Sequence, residues 1–283
     1  MISNTKIKPF LKWVGGKTQL LPEISERLPN SFDTYFEPFL GGGALFFYLH
    51  NKISTAHLSD VNEELINTYR IVKEEINELC VELSHHSNTE NYFYQIRDVD
   101  RSSEYAFWSP AQRAARFIYL NKTCFNGLYR VNSKGHFNVP FGNYQNPKIL
   151  DPDVLQDCSE ILNKTCAKLS CGTYDNILKS ITSMPDPTTA FVYFDPPYVP
   201  LTKTSSFVGY SKSGFGLKEQ EELAKFYNLL TSMGVKCMLS NSSTPTVFDL
   251  YKNYTIHSVS AKRNISSTNS GRRQVLEVLV TNY

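Results

Sequence analysis

The chain has 283 residues, of which 41% are hydrophobic and 13% aromatic, and its formal net charge is +2. This composition excludes a disordered chain and supports one large domain or two small ones. No apolar run approaches the roughly 20 residues that span a bilayer, and the N-terminus lacks the apolar core of a secretory signal. The sequence therefore predicts a cytoplasmic protein without membrane association. The near-zero charge, taken alone, argues against a nucleic-acid partner.

The charged residues, however, are segregated along the chain. Residues 60–104 contain 11 acids and 4 bases, a local net charge of −7, whereas residues 111–150 contain six bases and no acid. The bases of the acid-free stretches are Lys6, Lys8, Lys12 and Lys17, then Arg113, Arg116, Lys122, Arg130, Lys134 and Lys148, and finally Lys262, Arg263, Arg272 and Arg273. A solvated face explains any one stretch, but three together indicate a surface for phosphate.

The predicted elements alternate between strands and helices in two parts of the chain. The first part has a strand at 34–37, a glycine turn, a helix at 44–50, a strand at 57–59 and one long amphipathic helix with Leu65, Ile66, Tyr69, Ile76 and Leu79 on one face. Helical stretches between 85 and 160 and hairpin-like alternation at 121–146 follow. The second part has an apolar strand at 190–195, helices at 217–233 and 245–252, and strands at 235–240 and 274–281. This order predicts a doubly wound α/β sheet with an inserted middle segment.

The cysteine and histidine residues do not predict a metal site. The six cysteines show neither a C-x-x-C pair nor the spacing of zinc ligands. In a chain without a secretory signal, we expect them to be reduced and mostly buried. His85 and His86 have no further ligand at a suitable spacing, so a solvated loop is the expected explanation for this pair.

A glycine turn follows the first predicted strand. Gly41 and Gly43 fit the first two positions of G-x-G-x-x-G, but Phe46 occupies the third, so the turn is not a dinucleotide fingerprint. It is explained equally well as a nucleotide-binding loop or as a flexible turn. Asp60, 17 residues beyond Gly43, stands where an acid often binds ribose hydroxyls. Taken alone, its spacing from Glu63 favours a helix-capping box instead.

The strongest chemical signal is Asp195-Pro196-Pro197-Tyr198, which follows the apolar strand. Open α/β sheets bind ligands at this edge, and a structural turn would explain the prolines but not the acid and the aromatic ring. The Asp195 carboxylate and the Pro196 carbonyl can accept hydrogen bonds from an exocyclic amine whose lone pair is delocalised into its ring. The two prolines fix the backbone, and Tyr198 offers a face for stacking. The motif therefore predicts methylation of an adenine or cytosine amine on a base flipped out of the duplex.

The motifs at 12–17, 36–43, 60 and 195–198, in this order, closely resemble those of the alpha group of Dam-type DNA adenine-N6 methyltransferases. Residues 126–130 and 137–142 match the DNA-recognition hairpin of that family, and the resemblance covers nearly the whole chain. It implies a Rossmann-like fold that depends on S-adenosyl-L-methionine, with a catalytic domain at 1–80 and 165–283. It also implies an inserted helical and β-hairpin target-recognition domain at 81–164, in a bacterial or phage-encoded protein.

The resemblance further implies double-stranded DNA as substrate, GATC as the recognition sequence, base flipping, and direct methyl transfer. A cognate restriction endonuclease would act separately. The corresponding catalytic residues are Asp195, Pro196, Pro197 and Tyr198. Those corresponding to cofactor-binding positions are Trp13, Lys17, Phe39, Gly41, Gly43, Asp60, Thr173 and Asp195, and those corresponding to DNA-binding positions are Lys12, Asn126, Leu128, Arg130, Pro140 and Asn143.

Two positions depart from the family pattern. Thr173 stands where the family usually has an Asp that reads the adenine amine of the donor, so either its hydroxyl accepts that bond without charge or Asp175 substitutes. Asn143 stands where an Arg is common, which implies one lost DNA contact or a different reading of a flanking base.

Three other functions are alternatives to adenine methylation. An N4-cytosine methyltransferase commonly has Ser in place of Asp195. A protein-glutamine methyltransferase has Asn there and does not need a basic insertion. A DNA-binding regulator that has lost catalysis would not need the intact motif at 195–198.

Overall fold

The structure is a computed structural model that describes residues 7–200, 215–262 and 274–283. The helices of these residues are α1 (Leu21–Ser25), α2 (Ala44–Leu49), α3 (Glu63–Glu74), α4 (Ile76–Ser84), α5 (Glu90–Asp98), α6 (Pro110–Thr123), α7 (Pro152–Lys164), α8 (Ile177–Thr182), α9 (Leu217–Ser232) and α10 (Pro245–Leu250). The strands are β1 (Thr34–Glu37), β2 (Thr55–Asp60), β3 (Lys168–Cys171), β4 (Ala190–Phe194), β5 (Lys236–Ser242), β6 (Thr255–Lys262) and β7 (Gln274–Thr281). Short 3₁₀ helices lie at Lys17–Gln19, Val99–Arg101, Ser103–Phe107, Phe125–Gly127, Tyr174–Asn176 and Pro187–Thr189.

The chain divides into two units. The first comprises residues 1–16, 41–51 and 60–172, and the second comprises residues 17–40, 52–59 and 173–283. The segment predicted as a recognition domain, 81–164, lies wholly within the first unit.

The second unit is built on a mixed sheet. Its strands have the order β2-β1-β4-β5-β7-β6. The first four are parallel, and β7 is antiparallel to both of its neighbours. The strand order reverses between β1 and β4, and open sheets bind ligands beyond the carboxyl ends of the strands at such a point. The predicted α/β class is confirmed.

Strand β4 is the centre of this sheet. All five of its side chains are buried, because β1 and β5 flank it and helices cover its faces. Ile181 of α8, Tyr227 of α9 and Tyr251 of α10 belong to the same core cluster as Val192 and Phe194. Burial on both faces explains why this strand is a continuous apolar run in the sequence.

In the first unit, α6 contacts α3, α4 and α5. Its start is well specified, because Ser109 and Gln112 form a capping box and Pro110 occupies the first turn. Alanines at positions 111, 114 and 115 are buried and leave room for the neighbouring helices. The unit is therefore a helical layer, to which the segment at 124–146 is attached.

Several local predictions are wrong. The long amphipathic helix is two helices, α3 and α4, because Glu75 has φ −133° and ψ 39° and leaves the helical region. The hairpin-like pairing predicted at 121–146 is present, by contrast: isolated antiparallel bridges join Cys124 to Phe141 and Val131 to Phe137, although no extended strand forms. The Asn138 N–H also donates to the Arg130 carbonyl at 3.0 Å, and the Asn132 N–H to the His136 carbonyl at 2.8 Å. Strands β3 and β6 were not predicted.

Two further expectations concern cysteines and membranes. Three cysteines are buried, whereas Cys166 and Cys171 are exposed and Cys80 is half-buried, so the prediction of mostly buried thiols holds for half of them. Within the described ranges, every helix is too short or too polar to cross a bilayer.

Candidate active site and DNA interface

The predicted site residues are distributed over both units. The second unit contains Lys17, Phe39, Thr173, Asp195, Pro196, Pro197 and Tyr198. The first unit contains Trp13, Gly41, Gly43 and Asp60, together with Lys12, Asn126, Leu128, Arg130, Pro140 and Asn143.

In the second unit, Lys17 and Asp195 form an ion pair. The Lys17 Nζ lies 2.7 Å from Asp195 Oδ1 and 4.8 Å from the centre of the Tyr198 ring. Asp195 directly follows the buried strand β4, and Lys17 opens a 3₁₀ helix and is only 6% exposed. The structure thus brings together two predicted donor-binding residues and the aromatic ring of the catalytic motif.

The surroundings of the Asp195 carboxyl shift its pKa. Burial raises its pKa, the positive charge and hydrogen bond of Lys17 lower it, and the negative charge of Glu277 raises it again, so that the pKa lies above the usual range. The carboxylate is the form that accepts hydrogen bonds from an amine. We therefore expect Lys17 to extend the pH range in which Asp195 is competent as an acceptor.

Tyr198 is held by a residue that the sequence analysis missed. Its hydroxyl donates a hydrogen bond of 2.9 Å to Oε2 of Glu277, a β7 residue that is 6% exposed. Burial, followed by the negative charges nearby, raises the pKa of Tyr198, so the phenol stays neutral. The only sequence signal for Glu277 was an acid within an otherwise apolar alternating strand.

Phe39 and Thr173 also lie in the second unit. The Phe39 ring stacks on Tyr174 at 5.7 Å and meets Phe215 edge-on at 5.8 Å. Thr173 is exposed, and its side chain makes no capping hydrogen bond to the 3₁₀ helix that follows it. These residues present an aromatic surface and a nearby hydroxyl.

In the first unit, the glycine turn is held at both main-chain polar groups of Gly41. Asp60 accepts hydrogen bonds of 3.0 Å from the backbone N–H groups of Gly41 and Asn62. The Tyr69 hydroxyl donates to the Gly41 carbonyl at 3.2 Å. Gly41 and Gly43 have φ values of +48° and +63°, which glycine adopts without strain. These bonds favour an ordered glycine turn.

Asp60 does not cap α3. The Asn62 side chain caps that helix by accepting a bond of 3.1 Å from the Leu65 N–H, so the predicted capping box of Asp60 and Glu63 is wrong. Burial raises the pKa of Asp60 despite the backbone hydrogen bonds that lower it. The carboxylate instead connects the end of β2 to the glycine turn.

Trp13 packs on this turn. A Cβ built on Gly41 would lie 2.6 Å from Trp13 Cδ1, so only glycine permits the contact. The indole also stacks on Tyr129 at 5.8 Å and on Phe117 at 6.3 Å, each with an interplanar angle of 19°. The flat face of Trp13 is thus fixed by residues of α6 and of the predicted recognition hairpin.

The predicted DNA-binding residues of the first unit are largely at its surface. Lys12, Asn126, Arg130, Pro140 and Asn143 are exposed, and Leu128 is half-buried. Their backbone is well anchored, because the Asn121 side chain bonds both the N–H and the C=O of Lys12 and the C=O of Gly127. No local sequence pattern predicts this anchoring role of Asn121.

Arg130 is oriented by Asn138. Its Nε donates to Asn138 Oδ1 at 2.7 Å, and one terminal nitrogen donates to the Asn138 carbonyl at 3.2 Å. Asn126, with φ +56°, donates its backbone N–H to the Tyr144 hydroxyl at 2.9 Å, and the Lys12 ammonium lies 5.5 Å from the centre of that ring. The segment at 124–146 therefore presents a fixed guanidinium rather than a free one.

Two bases of the 111–150 stretch are not available to phosphate. Arg113 pairs with Glu64, and the buried Arg116 pairs with Asp100 at 2.8 Å. Both acids come from the acidic block, so part of the charge segregation along the chain is neutralised inside the first unit. The third basic patch lies outside the described residues, except for the backbone of Lys262.

Comparison with known proteins identifies the family. Residues 13–265 match the family model described as D12 class N6 adenine-specific DNA methyltransferase. The chain belongs to this family. The predicted resemblance and the predicted enzyme class are confirmed, and the N4-cytosine, protein-glutamine and non-catalytic alternatives are not supported.

Relatives in this family align along almost the entire chain. The type II methyltransferase M1.LlaDCHI of Lactococcus lactis subsp. cremoris is 43% identical over 283 residues, 99% of this chain and 97% of that protein. The type II methyltransferase M.MjaIII of Methanocaldococcus jannaschii is 42% identical over 98% of this chain and 100% of that protein. The DNA adenine methylase of Escherichia coli (strain K12) is 34% identical over 97% of this chain and 95% of that protein.

Proposed function

We propose that the protein is a site-specific methyltransferase that transfers a methyl group from S-adenosyl-L-methionine to the N6 amine of adenine in double-stranded DNA. The recognition sequence is GATC, the target base is flipped out, and transfer is direct, without a covalent enzyme intermediate. The observation that carries this proposal is the Asp195 carboxylate, held by Lys17 at the carboxyl end of β4 and followed by Tyr198.

The catalytic motif acts on the amine. One Asp195 oxygen and the Pro196 carbonyl accept the two N6 hydrogens, which favours a tetrahedral nitrogen with its lone pair directed outward. Lys17 keeps Asp195 ionised, and the Tyr198 ring, held by Glu277, stacks on the flipped base. Pro196 and Pro197 reduce the backbone freedom of the acceptors.

The residues assigned to methyl-donor binding have chemical groups that suit S-adenosyl-L-methionine. That molecule, when bound, supplies a methyl group on a positively charged sulfur. Asp60 accepts hydrogen bonds only from backbone N–H groups among the described residues and has no ion pair there, so its carboxylate suits ribose hydroxyls. We assign Trp13, Gly41 and Gly43 to the same role in the first unit, and Lys17, Phe39, Thr173 and Asp195 in the second.

The DNA contacts are assigned to the first unit. We propose that residues 81–164 form the target-recognition domain and that 1–80 and 165–283 form a Rossmann-like, doubly wound catalytic domain. Lys12, Asn126, Leu128, Arg130, Pro140 and Asn143 contact DNA, and the exposure of five of them supports this. Relatives named type II methyltransferases support a separate cognate restriction endonuclease as a partner.

The proposed function is tested by expressing the chain in a host that lacks adenine methylation and mapping modified bases by sequencing. We expect N6-methyladenine in GATC and background levels elsewhere. Digestion of the DNA to nucleosides separates N6-methyladenine from N4-methylcytosine. Modification at another sequence would contradict the GATC assignment alone, whereas a complete absence of methyladenine would contradict the function.

Arg130→Ala tests the assignment of base reading. An arginine can bond guanine O6 and N7 together, so its loss should reduce discrimination between GATC and near-cognate duplexes by about 1–3 kcal/mol, roughly 5- to 150-fold. The measurement is kcat/KM on duplexes that differ by one base pair. Lys134→Ala, at an exposed base nearby, is the control and should weaken all duplexes alike. An equal loss on every duplex for Arg130→Ala would argue against base reading.

Lys17→Met tests the electrostatic role of the ion pair. Removal of the positive charge takes away the main influence that lowers the pKa of Asp195. Because the active form is the carboxylate, the acid limb of kcat should move to higher pH. Activity should recover in part at alkaline pH. Lys179→Met, at an exposed lysine of α8, should leave the profile unchanged, and an unshifted limb in Lys17→Met would refute this role.

A further inference from the structure

Three buried polar side chains, linked by hydrogen bonds, contact the backbone of the catalytic motif and of the residue that follows it. Gln220 of α9 is 2% exposed, and Asn241 and Ser242 of β5 are 0% and 1% exposed. Buried amides are costly unless their hydrogen bonds are satisfied. The bonds of these three side chains therefore indicate why polar groups are kept in this part of the core.

The bonds run from the motif into the core and back to the motif. Gln220 Nε2 donates to the Pro197 carbonyl at 2.7 Å, and Gln220 Oε1 accepts from Asn241 Nδ2 at 3.1 Å. Asn241 Oδ1 in turn accepts from the Val199 N–H at 3.0 Å and the Ser242 N–H at 2.8 Å. The Ser242 hydroxyl donates to the Val199 carbonyl at 2.6 Å.

The donor-to-acceptor direction of this series of hydrogen bonds is determined at both of its ends. The Pro197 carbonyl can only accept, so Gln220 must present its nitrogen to it, and the Gln220 oxygen then faces Asn241. The Val199 N–H can only donate, so Asn241 must present its oxygen. Reversal of either amide would place two acceptors or two donors against each other.

We propose that Gln220 and Asn241 are positioning residues for methyl transfer, which hold the backbone on both sides of Tyr198 and so fix the Asp195–Tyr198 motif. This rests on the proposed function of that motif. The Pro197 carbonyl and both polar groups of the Val199 backbone are bound by side chains from α9 and β5. The Pro196 carbonyl and the Tyr198 ring thus belong to a segment whose main chain is held at three groups. These groups are the Pro197 carbonyl, the Val199 N–H and the Val199 carbonyl.

Gln220→Glu is the sharpest test, because the two side chains have the same shape. The carboxylic acid form can donate to the Pro197 carbonyl, whereas the carboxylate places an unprotonated oxygen against it. Burial raises the pKa of a carboxyl group, which brings this titration toward the assay range. We expect the ratio of kcat in the variant to kcat in the wild type to fall by about 10- to 100-fold as the pH rises and the group ionises. KM for the donor and for DNA should change much less than kcat.

Two further variants separate positioning from mere stability. Gln220→Met has a similar volume and no ionisable group, so kcat should fall at every pH without recovery at acid pH. Asn228→Asp makes the equivalent amide-to-acid change on the exposed face of α9 and should match the wild type. Thermal melting of each protein reports whether the fold is retained.

The outcomes are distinguishable. A folded Gln220→Glu protein with the wild-type pH profile would overturn the proposal, as would a pH-independent loss shared by kcat and KM. If Gln220→Glu does not fold, Gln220→Met decides: a selective loss of kcat supports the proposal, and unchanged kcat overturns it. An inactive wild-type protein would instead contradict the proposed function itself.

Discussion

Asp195→Ala is expected to lower kcat for methyl transfer by at least about 10²–10³-fold while leaving the fold and much of the donor binding intact. The variant removes the carboxylate that accepts the amine hydrogens, so the remaining Pro196 carbonyl cannot direct the nitrogen lone pair alone. The measurement is the incorporation of labelled methyl groups into a GATC duplex, with donor affinity determined separately by calorimetry. Asp249→Ala, at an exposed acid of α10 in the second unit, should behave as the wild type.

The ion pair complicates this experiment in a predictable way. Asp195→Ala removes the carboxylate that lies 2.7 Å from the buried Lys17 ammonium, and breaking a buried pair commonly costs about 3–5 kcal/mol of stability. The double variant Lys17→Met with Asp195→Asn removes both charges and should regain stability without regaining activity. Full activity in Asp195→Ala would rule out a catalytic role for this carboxylate.

Asp60→Ala is expected to weaken donor binding by roughly 10- to 100-fold, since hydrogen bonds to a charged group contribute about 1.5–3 kcal/mol. The loss has two physical sources. The ribose hydroxyls lose their acceptor, and the N–H groups of Gly41 and Asn62 lose the carboxylate that holds the glycine turn. Titration calorimetry with the donor measures the effect, and DNA affinity without donor should be unchanged.

Controls for Asp60 are available within the same unit. Asp157→Ala, at an exposed acid of α7, should retain full donor affinity. Asp60→Asn keeps the shape but offers only one accepting oxygen, so its donor affinity should lie between the wild type and Asp60→Ala. Donor affinity within twofold of the wild type in Asp60→Ala would refute the assignment of this residue.

Local sequence pattern was sufficient for elements whose burial follows a simple period. Strands β1 and β7 were predicted with their observed bounds, and β4 with one extra residue, because alternation and a continuous apolar run report burial directly. Strand β3 carries mostly exposed side chains, and in β6 the apolar Ile256 and Val259 are three positions apart and break the period of two, so neither strand had a clear hydrophobic signal. The break at Glu75 was also invisible, since glutamate is a good helix former.

The candidate site shows the same division. The chemistry of Asp195-Pro196-Pro197-Tyr198 can be predicted from residue types alone, because hydrogen-bond acceptors and an aromatic ring directly follow a buried strand. The hydrogen-bond and ion-pair partners of these residues cannot be predicted from the sequence, because they are distant along the chain. Lys17 precedes Asp195 by 178 positions, and the other partners lie on later elements, namely Glu277, Gln220 and Asn241. The spacing of Asp60 from Glu63 predicted a helix cap, whereas in the structure Asn62 caps α3 and Asp60 accepts a hydrogen bond from Gly41.

The resemblance of the motifs to those of a known family predicted adenine as the target base. The amino-acid sequence by itself determined that this chain has an α/β fold and carries a motif for amine methylation. It did so because strand burial and reactive residue types are written in short stretches of chain. Only the tertiary structure decided which acids and bases neutralise each other, so that Arg113 and Arg116 serve the core of the first unit rather than phosphate. Net charge and its segregation are sums over residues, whereas pairing depends on distances that only folding brings about.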